Sequence, residues 1–206
     1  MATPDDEIAA TDTREAIMEA TFRALKRRGY SDLRLRDIGE EMSMTRQVIH
    51  YHFDGKRDLM SSFLEHIIDQ YEGSVDVGSD ADPRTELDAR IDQCLFGPDF
   101  EEFSHWDRMK VYHELFAHAR NDEEHRETFT EHYDRIRGSI VEVIEAGIEQ
   151  GVFRDVDPVR VGQLITDMIH VARERRLALG HEDAPEEMRA SIDDFVVERL
   201  CIDEET

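Results

Sequence analysis

The sequence predicts an all-α protein in which three short N-terminal helices precede a larger helical part. Three observations predict this class. Apolar residues recur at helical spacing in every long segment, Gly29, Gly97 and Gly151 separate these segments, and no segment alternates apolar and polar residues as a half-buried strand does. The 206 residues are enough for one or two domains with a real hydrophobic core.

The first helix is predicted at residues 13–28. Thr11 and Asp12 are suitable caps for its start, and Gly29 is suited to its end. Apolar residues at helical spacing give it one dry face. That face consists of Ile17, Ala20, Ala24 and Leu25.

Two shorter helices are predicted at 35–42 and 45–53, with a tight turn between them and a further helix at 56–72. The helix at 45–53 buries Val48, Ile49 and Phe53. Its opposite face carries Arg46, Gln47, His50 and Tyr51. Side chains of these types read base edges and phosphates in a major groove. The pattern therefore predicts a helix-turn-helix that binds double-stranded DNA.

Residues 11–64 resemble the DNA-binding domain of the TetR family of transcriptional regulators. The resemblance rests on the helix TREAIMEATFRALKRRGY, the Arg-Asp-Ile at 36–38, and HYHF at 50–53 with GKRDL from 55. The family usually has Thr or Ser at the position of Arg34, and without that residue the second helix loses the cap that the resemblance implies. The chain also departs from the family pattern at three other positions. The family usually has Ala at the position of Gly39, Gly at that of Ser43 and Tyr at that of His50.

Nine residues are candidates for contact with DNA. Gln47 can pair with adenine, and Arg46 with guanine or phosphate. Tyr51, His52 and Lys56 suit phosphate contacts, which fix the register without reading sequence. The alternative for each is a solvated surface residue, or a packed histidine for His52. The full set is Arg34, Arg36, Thr45, Arg46, Gln47, His50, Tyr51, His52 and Lys56.

The formal net charge of −24 is distributed unevenly. Residues 11–60 contain ten Lys and Arg against nine Asp and Glu, whereas residues 61–206 contain 15 against 37. The predicted DNA-binding part is thus the one part that is not strongly acidic. Of the 25 basic residues only Lys26, Lys56 and Lys110 are lysines. Abundant acid with scarce lysine resembles proteins of salt-accumulating halophiles, the alternative being an ordinary acidic regulator.

Several classes of protein are disfavoured. No stretch of 18 apolar residues could span a membrane, and the acidic N-terminus has no signal pattern, so we expect a cytoplasmic protein. Cys94 and Cys201 are isolated and read as buried thiols. His113 and His118 lack the spacing and partners of a metal motif, and no catalytic or cofactor motif is present, so we expect no enzyme, metal or cofactor.

The remainder of the chain predicts a loop at 73–83 and helices at 84–96, 98–120 and 122–150. We therefore divide the chain into a DNA-binding domain at 1–55 and a ligand-binding and dimerisation domain at 56–206. The second part resembles a subset of the same family, which suggests a ligand-responsive domain like that of choline-responsive repressors without identifying the ligand. The residues that carry this weaker resemblance are Trp106, Phe116-Ala117, Asn121-Asp122, Tyr133, Gly151-Val152-Phe153 and Asp157-Pro158.

A small-molecule effector would contact aromatic and other residues of the central helices, although such residues at helical spacing are mostly ordinary core. If Glu114 and Asp167 face inward, they favour a cationic ligand, helped by Trp106. The candidates are Phe103, Trp106, Met109, Tyr112, His113, Phe116, Tyr133, Met168 and His170.

The last two helices, after Asp157-Pro158 and from Pro185, have wide apolar faces. They either pack inside one subunit or pair with a second copy as a four-helix bundle, which is how the resembled family forms its homodimers. Their apolar residues are Val161, Leu164, Ile165, Met168, Ile169 and Ala172, then Met188, Ile192, Phe195, Val196 and Leu200.

The sequence thus predicts a regulator, most simply a repressor that a small-molecule effector releases from a palindromic operator. One alternative is a DNA-organising or effector-independent DNA-binding protein. Another is an all-α carrier or enzyme with a vestigial helix-turn-helix.

Overall fold

The computed structural model describes residues 4–42, 46–72, 81–98 and 103–202, with side chains from Thr13 onward except those of Arg46, Tyr71 and Glu72. Within these ranges the chain forms helices, and the prediction of an all-α fold is confirmed. The helices are α1 (Pro4–Arg28), α2 (Leu35–Glu41), α3 (Arg46–His52), α4 (Lys56–Glu72), α5 (Pro83–Phe96), α6 (His105–Ala119), α7 (Glu123–Glu149), α8 (Pro158–Leu179), α9 (Ala184–Ile192) and α10 (Glu198–Leu200).

The chain divides into two compact units. The first contains Met1–Gln70 and Trp106–Thr128, and the second contains Tyr71–His105 and Phe129–Thr206. In these units α4 and α6 belong with the predicted DNA-binding helices. The predicted domain boundary at residue 56 is a different division of the chain and stays a prediction.

The first unit is built around α1 and α4. The α1 residues predicted to share a dry face are each at most 1 % exposed, and Leu59 and Phe63 of α4 are equally buried. Helix α1 begins at Pro4, earlier than the predicted residue 13. Proline suits the first helical turn, and Thr11 and Asp12, predicted to precede the helix as caps, lie within it.

The start of α2 is secured without the missing threonine. Asp37, in the first turn of α2, accepts a hydrogen bond from the backbone N–H of Arg34 at 2.9 Å through Oδ2. This is one half of a capping box, in which a side chain of the first turn satisfies the N-cap amide. The local sequence indicates the loss of the cap at Arg34 but not its replacement by Asp37.

The second unit buries its core between α5, α7, α8 and α9. Ile91, Ile140, Ile165 and Ile192 contribute one fully buried residue from each of these helices. Helix α8 approaches α7 closely at Gly162, because a Cβ atom there would lie 2.6 Å from Cγ2 of Val141. The two helices therefore meet at a distance that only glycine permits.

Two helix starts differ from the predictions. Helix α5 begins at Pro83, since Asp82 caps it by accepting hydrogen bonds from the N–H groups of Arg84 and Thr85. Helix α6 begins at His105, and not at residue 98. Most of the predicted loop at 73–83 lies outside the described residues.

The C-terminal helix is interrupted by a π-helical turn at Asp193–Val197. The wider turn changes which side chains face the core. Val196 and Val197 are buried, whereas Phe195, predicted to share an apolar face with Val196, is 62 % exposed. An isolated backbone bridge joins Phe153 to Cys201 near this end of the chain.

Candidate nucleic-acid interface

Helix α3 has one buried and one open face. Ile49 is fully buried and Phe53, directly after the helix, is 3 % exposed. Gln47 and His50 are exposed, and Tyr51 is 84 % exposed. Val48, predicted to be buried, is half-buried. The helix therefore packs on the first unit through its apolar side and leaves the side chains predicted to read DNA accessible.

The other predicted DNA-contacting residues differ in exposure and in how far the structure describes them. Thr45 lies outside the described residues, and Arg46 begins the helix with its side chain outside the description. Arg34 and Arg36 are exposed before and within α2. His52 is half-buried, with its ring 5.2 Å from that of Tyr51.

Lys56 opens α4 and contacts the corner between α1 and α2. Its Nζ donates a hydrogen bond to the carbonyl oxygen of Tyr30 at 2.6 Å and lies 4.4 Å from the centre of the Tyr30 ring. Burial lowers the pKa of the Lys56 ammonium, while Asp32 and Glu114 act in the opposite direction. Lys56 thus has an internal role besides any contact with phosphate.

A buried carboxylate organises the arginines beside α2. Asp37 is 2 % exposed, and its Oδ1 lies 3.3 Å from Nη2 of Arg28 and 3.8 Å from Nε of Arg36. Nearby, Nη2 of Arg27 lies 2.8 Å from Oε1 of Glu41. Sequence reasoning missed these pairs, although an acidic residue in the first turn of α2 was a usable signal for the capping half.

The end of α3 is also covered by a cation. The guanidinium carbon of Arg14, on α1, lies 4.9 Å from the centre of the Phe53 ring. Arginine above an aromatic face is attracted by the ring quadrupole. This contact adds to the buried packing that holds the end of α3 in the first unit.

The predicted effector-contacting residues are divided between the two units. In the first unit, Met109 and Tyr112 are buried and Phe116 is 50 % exposed, while Trp106 and His113 are half-buried. In the second unit, Phe103 and Met168 are half-buried, and the rings of Tyr133 and His170 stack at 5.1 Å.

A polar cluster surrounds Tyr133 in the second unit. Its hydroxyl donates a hydrogen bond to Oδ1 of Asp167 at 2.5 Å and accepts one from Gln163. Gln163 also donates to the same Asp167 oxygen at 2.9 Å. The hydrogen bond from Tyr133 holds the pKa of the Asp167 carboxyl below its usual range. The Asp167 side chain is therefore an ionised acceptor at neutral pH.

Glu114 has a different place from the one considered for a cationic ligand. Its Oε1 accepts a hydrogen bond from the backbone N–H of Tyr30 at 2.6 Å. The carboxylate thus contacts the corner after α1, a contact that no local pattern could show because the two residues are 84 positions apart.

Within the described ranges, no helix is long and apolar enough to cross a membrane. Over the same residues, no group of three or more His, Cys, Asp or Glu side chains could hold a metal ion. Cys94 is buried, and Cys201 is half-buried where a buried thiol was predicted. Both are free cysteines.

These features define the class of the protein: a helical DNA-binding regulator with a helix-turn-helix near its N-terminus. Residues 17–63 match the family model of the bacterial regulatory proteins of the tetR family, and residues 104–193 match that of the tetracyclin repressor-like C-terminal domain. The two models together match more than half of the chain. The chain belongs to the TetR family of transcriptional regulators, which are not enzymes.

Individual relatives show the same likeness. The HTH-type transcriptional regulator TtgR of Pseudomonas putida is 38 % identical over 58 residues, a match that covers 28 % of each chain. A TetR transcription regulator from Haloarcula marismortui has a similar structure, with a TM-score of 0.85, 28 % identity, and coverage of 93 % of this chain and 100 % of that chain. A transcriptional regulator from Saccharomonospora viridis, solved in complex with choline, has a TM-score of 0.78 at 24 % identity, covering 93 % and 99 % of the two chains. This last likeness concerns the fold alone.

Proposed function

We propose that this chain is a homodimeric repressor that binds a palindromic operator through α3 and is released by a small-molecule effector. The observation that carries the proposal is the open face of α3. Gln47, His50 and Tyr51 are exposed on a helix whose opposite side buries Ile49 completely. A recognition helix needs this combination, because its position must be fixed while its polar side enters the major groove.

Contacts with DNA in this proposal come from the nine predicted residues. Gln47 and Arg46 read bases near the start of α3, and Tyr51, His52 and Lys56 contact phosphates. Arg34 and Arg36 approach the backbone from α2. Because a regulator of this kind must reach the DNA, we propose that the protein is cytoplasmic.

The proposed dimer interface consists of α8 and the segment after α9. Leu164 and Val171, two turns apart on α8, are 49 % and 48 % exposed, and Phe195 is 62 % exposed. Exposed apolar side chains on neighbouring helices are typical of a surface that a second subunit covers. Two-fold pairing of these helices forms a four-helix bundle and gives the dimer two recognition helices for two half-sites.

The proposed effector binds the helices that follow the DNA-binding part. The regulator from Saccharomonospora viridis was solved with choline, which supports a ligand-responsive domain in this chain without identifying the ligand. An effector can release DNA only by the difference in its affinity for the two states of the protein. The nine predicted effector-contacting residues stay a prediction.

We also propose that the protein works in concentrated salt. The chain has 49 acidic residues and only 25 basic ones, of which three are lysines. Hydrated carboxylates keep a surface soluble where ordinary charge screening is saturated.

Sequencing the DNA that co-purifies with the protein from its own cells tests the proposal. We expect a few enriched sites, each with two inverted half-sites separated by a multiple of about one helical turn. Binding spread over the genome without a shared motif would favour a DNA-organising protein. A failure to retain DNA, with a mobility-shift assay on the DNA around the gene also negative, would favour the carrier or enzyme.

A further inference from the structure

The corner between α1 and α2 is held by a helix that lies far away in sequence. Oε1 of Glu114, on α6, accepts a hydrogen bond from the Tyr30 N–H at 2.6 Å. Gly29 makes this approach possible: its φ of +74° favours glycine, and a Cβ atom there would lie 2.7 Å from the same carboxylate oxygen. The chain thus leaves space for the Glu114 carboxylate at this corner.

Tyr30 also contacts the start of α4. Its carbonyl oxygen accepts a hydrogen bond from Nζ of Lys56 at 2.6 Å, and the same ammonium lies 4.4 Å from the ring centre. Lys56 is the first residue of α4 and follows Phe53, which closes the recognition helix, by three positions. One residue therefore contacts α6 through its N–H and the start of α4 through its carbonyl and ring.

The same side of α6 contacts the DNA-binding helices at two more points. Asp107, two helical turns before Glu114, places Oδ2 2.8 Å from Nζ of Lys26 at the end of α1. His118, one turn after Glu114, lies with its ring 4.5 Å from the Tyr30 ring. Residues three, four or seven apart share a face of a helix. A stripe of α6 thus follows the end of α1 and the corner after it.

Beyond α6, Arg57 at the start of α4 forms two further ion pairs. Its Nη2 lies 3.1 Å from Oδ1 of Asp122, just before α7, and 3.5 Å from Oε2 of Glu124. Two of the three lysines of the chain, Lys26 and Lys56, take part in the contacts around this corner. A compact ammonium fits the Tyr30 carbonyl and ring together, which the planar fork of arginine does not do as readily.

We propose that Glu114 is a positioning residue for DNA binding, whose hydrogen bond to Tyr30 fixes the corner after α1 and, through Lys56, the start of α4 beside the recognition helix. The inference rests on the DNA-binding function proposed above and adds a residue that positions the recognition helix. Glu114 itself does not touch DNA.

The test compares four purified full-length variants with the wild type. Glu114→Ala removes the acceptor, and Glu114→Asp keeps the charge but draws the carboxylate back by one methylene. Glu114→Gln keeps an acceptor oxygen at the same reach. Glu127→Ala removes an exposed glutamate of α7 and is the control for the change in net charge.

Two measurements are made on each variant: backbone hydrogen exchange in the free protein, and affinity for the operator duplex recovered from cells. We expect Glu114→Ala and Glu114→Asp to expose the Tyr30 amide to faster exchange and to weaken operator binding by about tenfold, within the usual range of coupling between sites. Glu114→Gln and Glu127→Ala should stay close to the wild type in both measurements.

Either of two results overturns the inference while the wild type binds its operator. One is unchanged exchange at Tyr30 in Glu114→Ala and Glu114→Asp. The other is loss of affinity in Glu114→Gln equal to that in Glu114→Ala, because charge and not the position of the acceptor would then be responsible. Absence of specific binding by the wild type would instead end the proposed function itself.

Discussion

The guanidinium of Arg173, in α8, donates hydrogen bonds through Nε and Nη2 to the carbonyl oxygen of Cys94, in the last turn of α5. Arg173 is 2 % exposed, and its Nε lies 2.9 Å from that oxygen. The last carbonyl groups of a helix have no partner within the helix and carry the negative end of its dipole. A buried cation therefore satisfies the C-terminal end of α5 from a neighbouring helix.

Replacing this arginine should destabilise the protein. Arg173→Met fills similar space but leaves a buried carbonyl without its donor, so we expect the free energy of unfolding to fall by about 2 kcal/mol. Arg135→Met, at an exposed position of α7, is the control and should change it little. Urea unfolding followed by circular dichroism measures both. Equal stability of the two variants would show that the contact with Cys94 contributes nothing.

A buried histidine should make stability depend on pH. Burial lowers the pKa of His132 from 6.5 to about 3, with Arg173 and Arg135 acting in the same direction. Between pH 6.5 and about pH 3, His132 is protonated in the unfolded chain but neutral in the folded chain. The free energy of unfolding therefore decreases as the pH falls from 6.5 to about 3. The slope is at most about 1.4 kcal/mol per pH unit.

Urea unfolding at pH 7, 6, 5 and 4 checks this expectation. The free energy of unfolding of His132→Gln, expressed relative to its value at pH 7, should decline less over that range than that of the wild type. The exposed His181 offers the control His181→Gln, which should leave the decline as in the wild type. Parallel curves for the wild type and His132→Gln would contradict the assignment.

Base reading by α3 predicts a specific loss. Gln47→Ala should weaken binding to the operator by roughly tenfold and relax the preference at one base pair in each half-site, because a side chain paired with a base contributes about 1–3 kcal/mol of discrimination. Binding to unrelated DNA should change little. Gln150→Ala, at an exposed position directly after α7, is the matched control. Fluorescence anisotropy with a set of operator variants measures the preference; an unaltered preference in Gln47→Ala would contradict base reading by this residue.

The proposed dimer predicts sensitivity at Phe195. Phe195→Glu puts a charge on the exposed apolar surface of the second unit, and we expect monomers at micromolar concentration, since an unpaired charge buried in an interface is strongly unfavourable. Phe116→Glu makes the same exchange at a 50 % exposed position of α6. Sedimentation in multimolar KCl distinguishes monomer from dimer. If Phe195→Glu remains dimeric, the dimer interface does not include Phe195.

The dependence of operator binding on salt should be shallow. Release of counterions normally weakens DNA binding with a slope of about −0.9 per neutralised phosphate on logarithmic scales. With a formal net charge of −24, the protein should take up cations between its carboxylates and the DNA, which offsets that release. Affinity measured from low to multimolar KCl checks this. A steep decline like that of ordinary repressors would refute it.

Local patterns accounted for the helices better than for the contacts between them. The predicted bounds of α4 agree with the structure, and the accessible side of α3 follows directly from its apolar spacing. The burial of Val197 was not predicted, because a π-helical turn breaks the period of 3.6 residues on which such predictions depend. The contact of Glu114 with Tyr30 joins residues 84 positions apart, and side chains at that separation leave no periodic signal.

The ion pairs around α2 and α4 have a consequence for how operators are told apart. Lys26, Arg27, Arg28 and Arg57 each lie within 3.3 Å of a carboxylate oxygen of their own chain. These four cations are therefore held by carboxylates and are less available for nonspecific contacts with DNA phosphates. Promoters that this protein binds should therefore differ from other promoters mainly in the few base pairs that face α3. Nonspecific binding elsewhere on the chromosome should be weak.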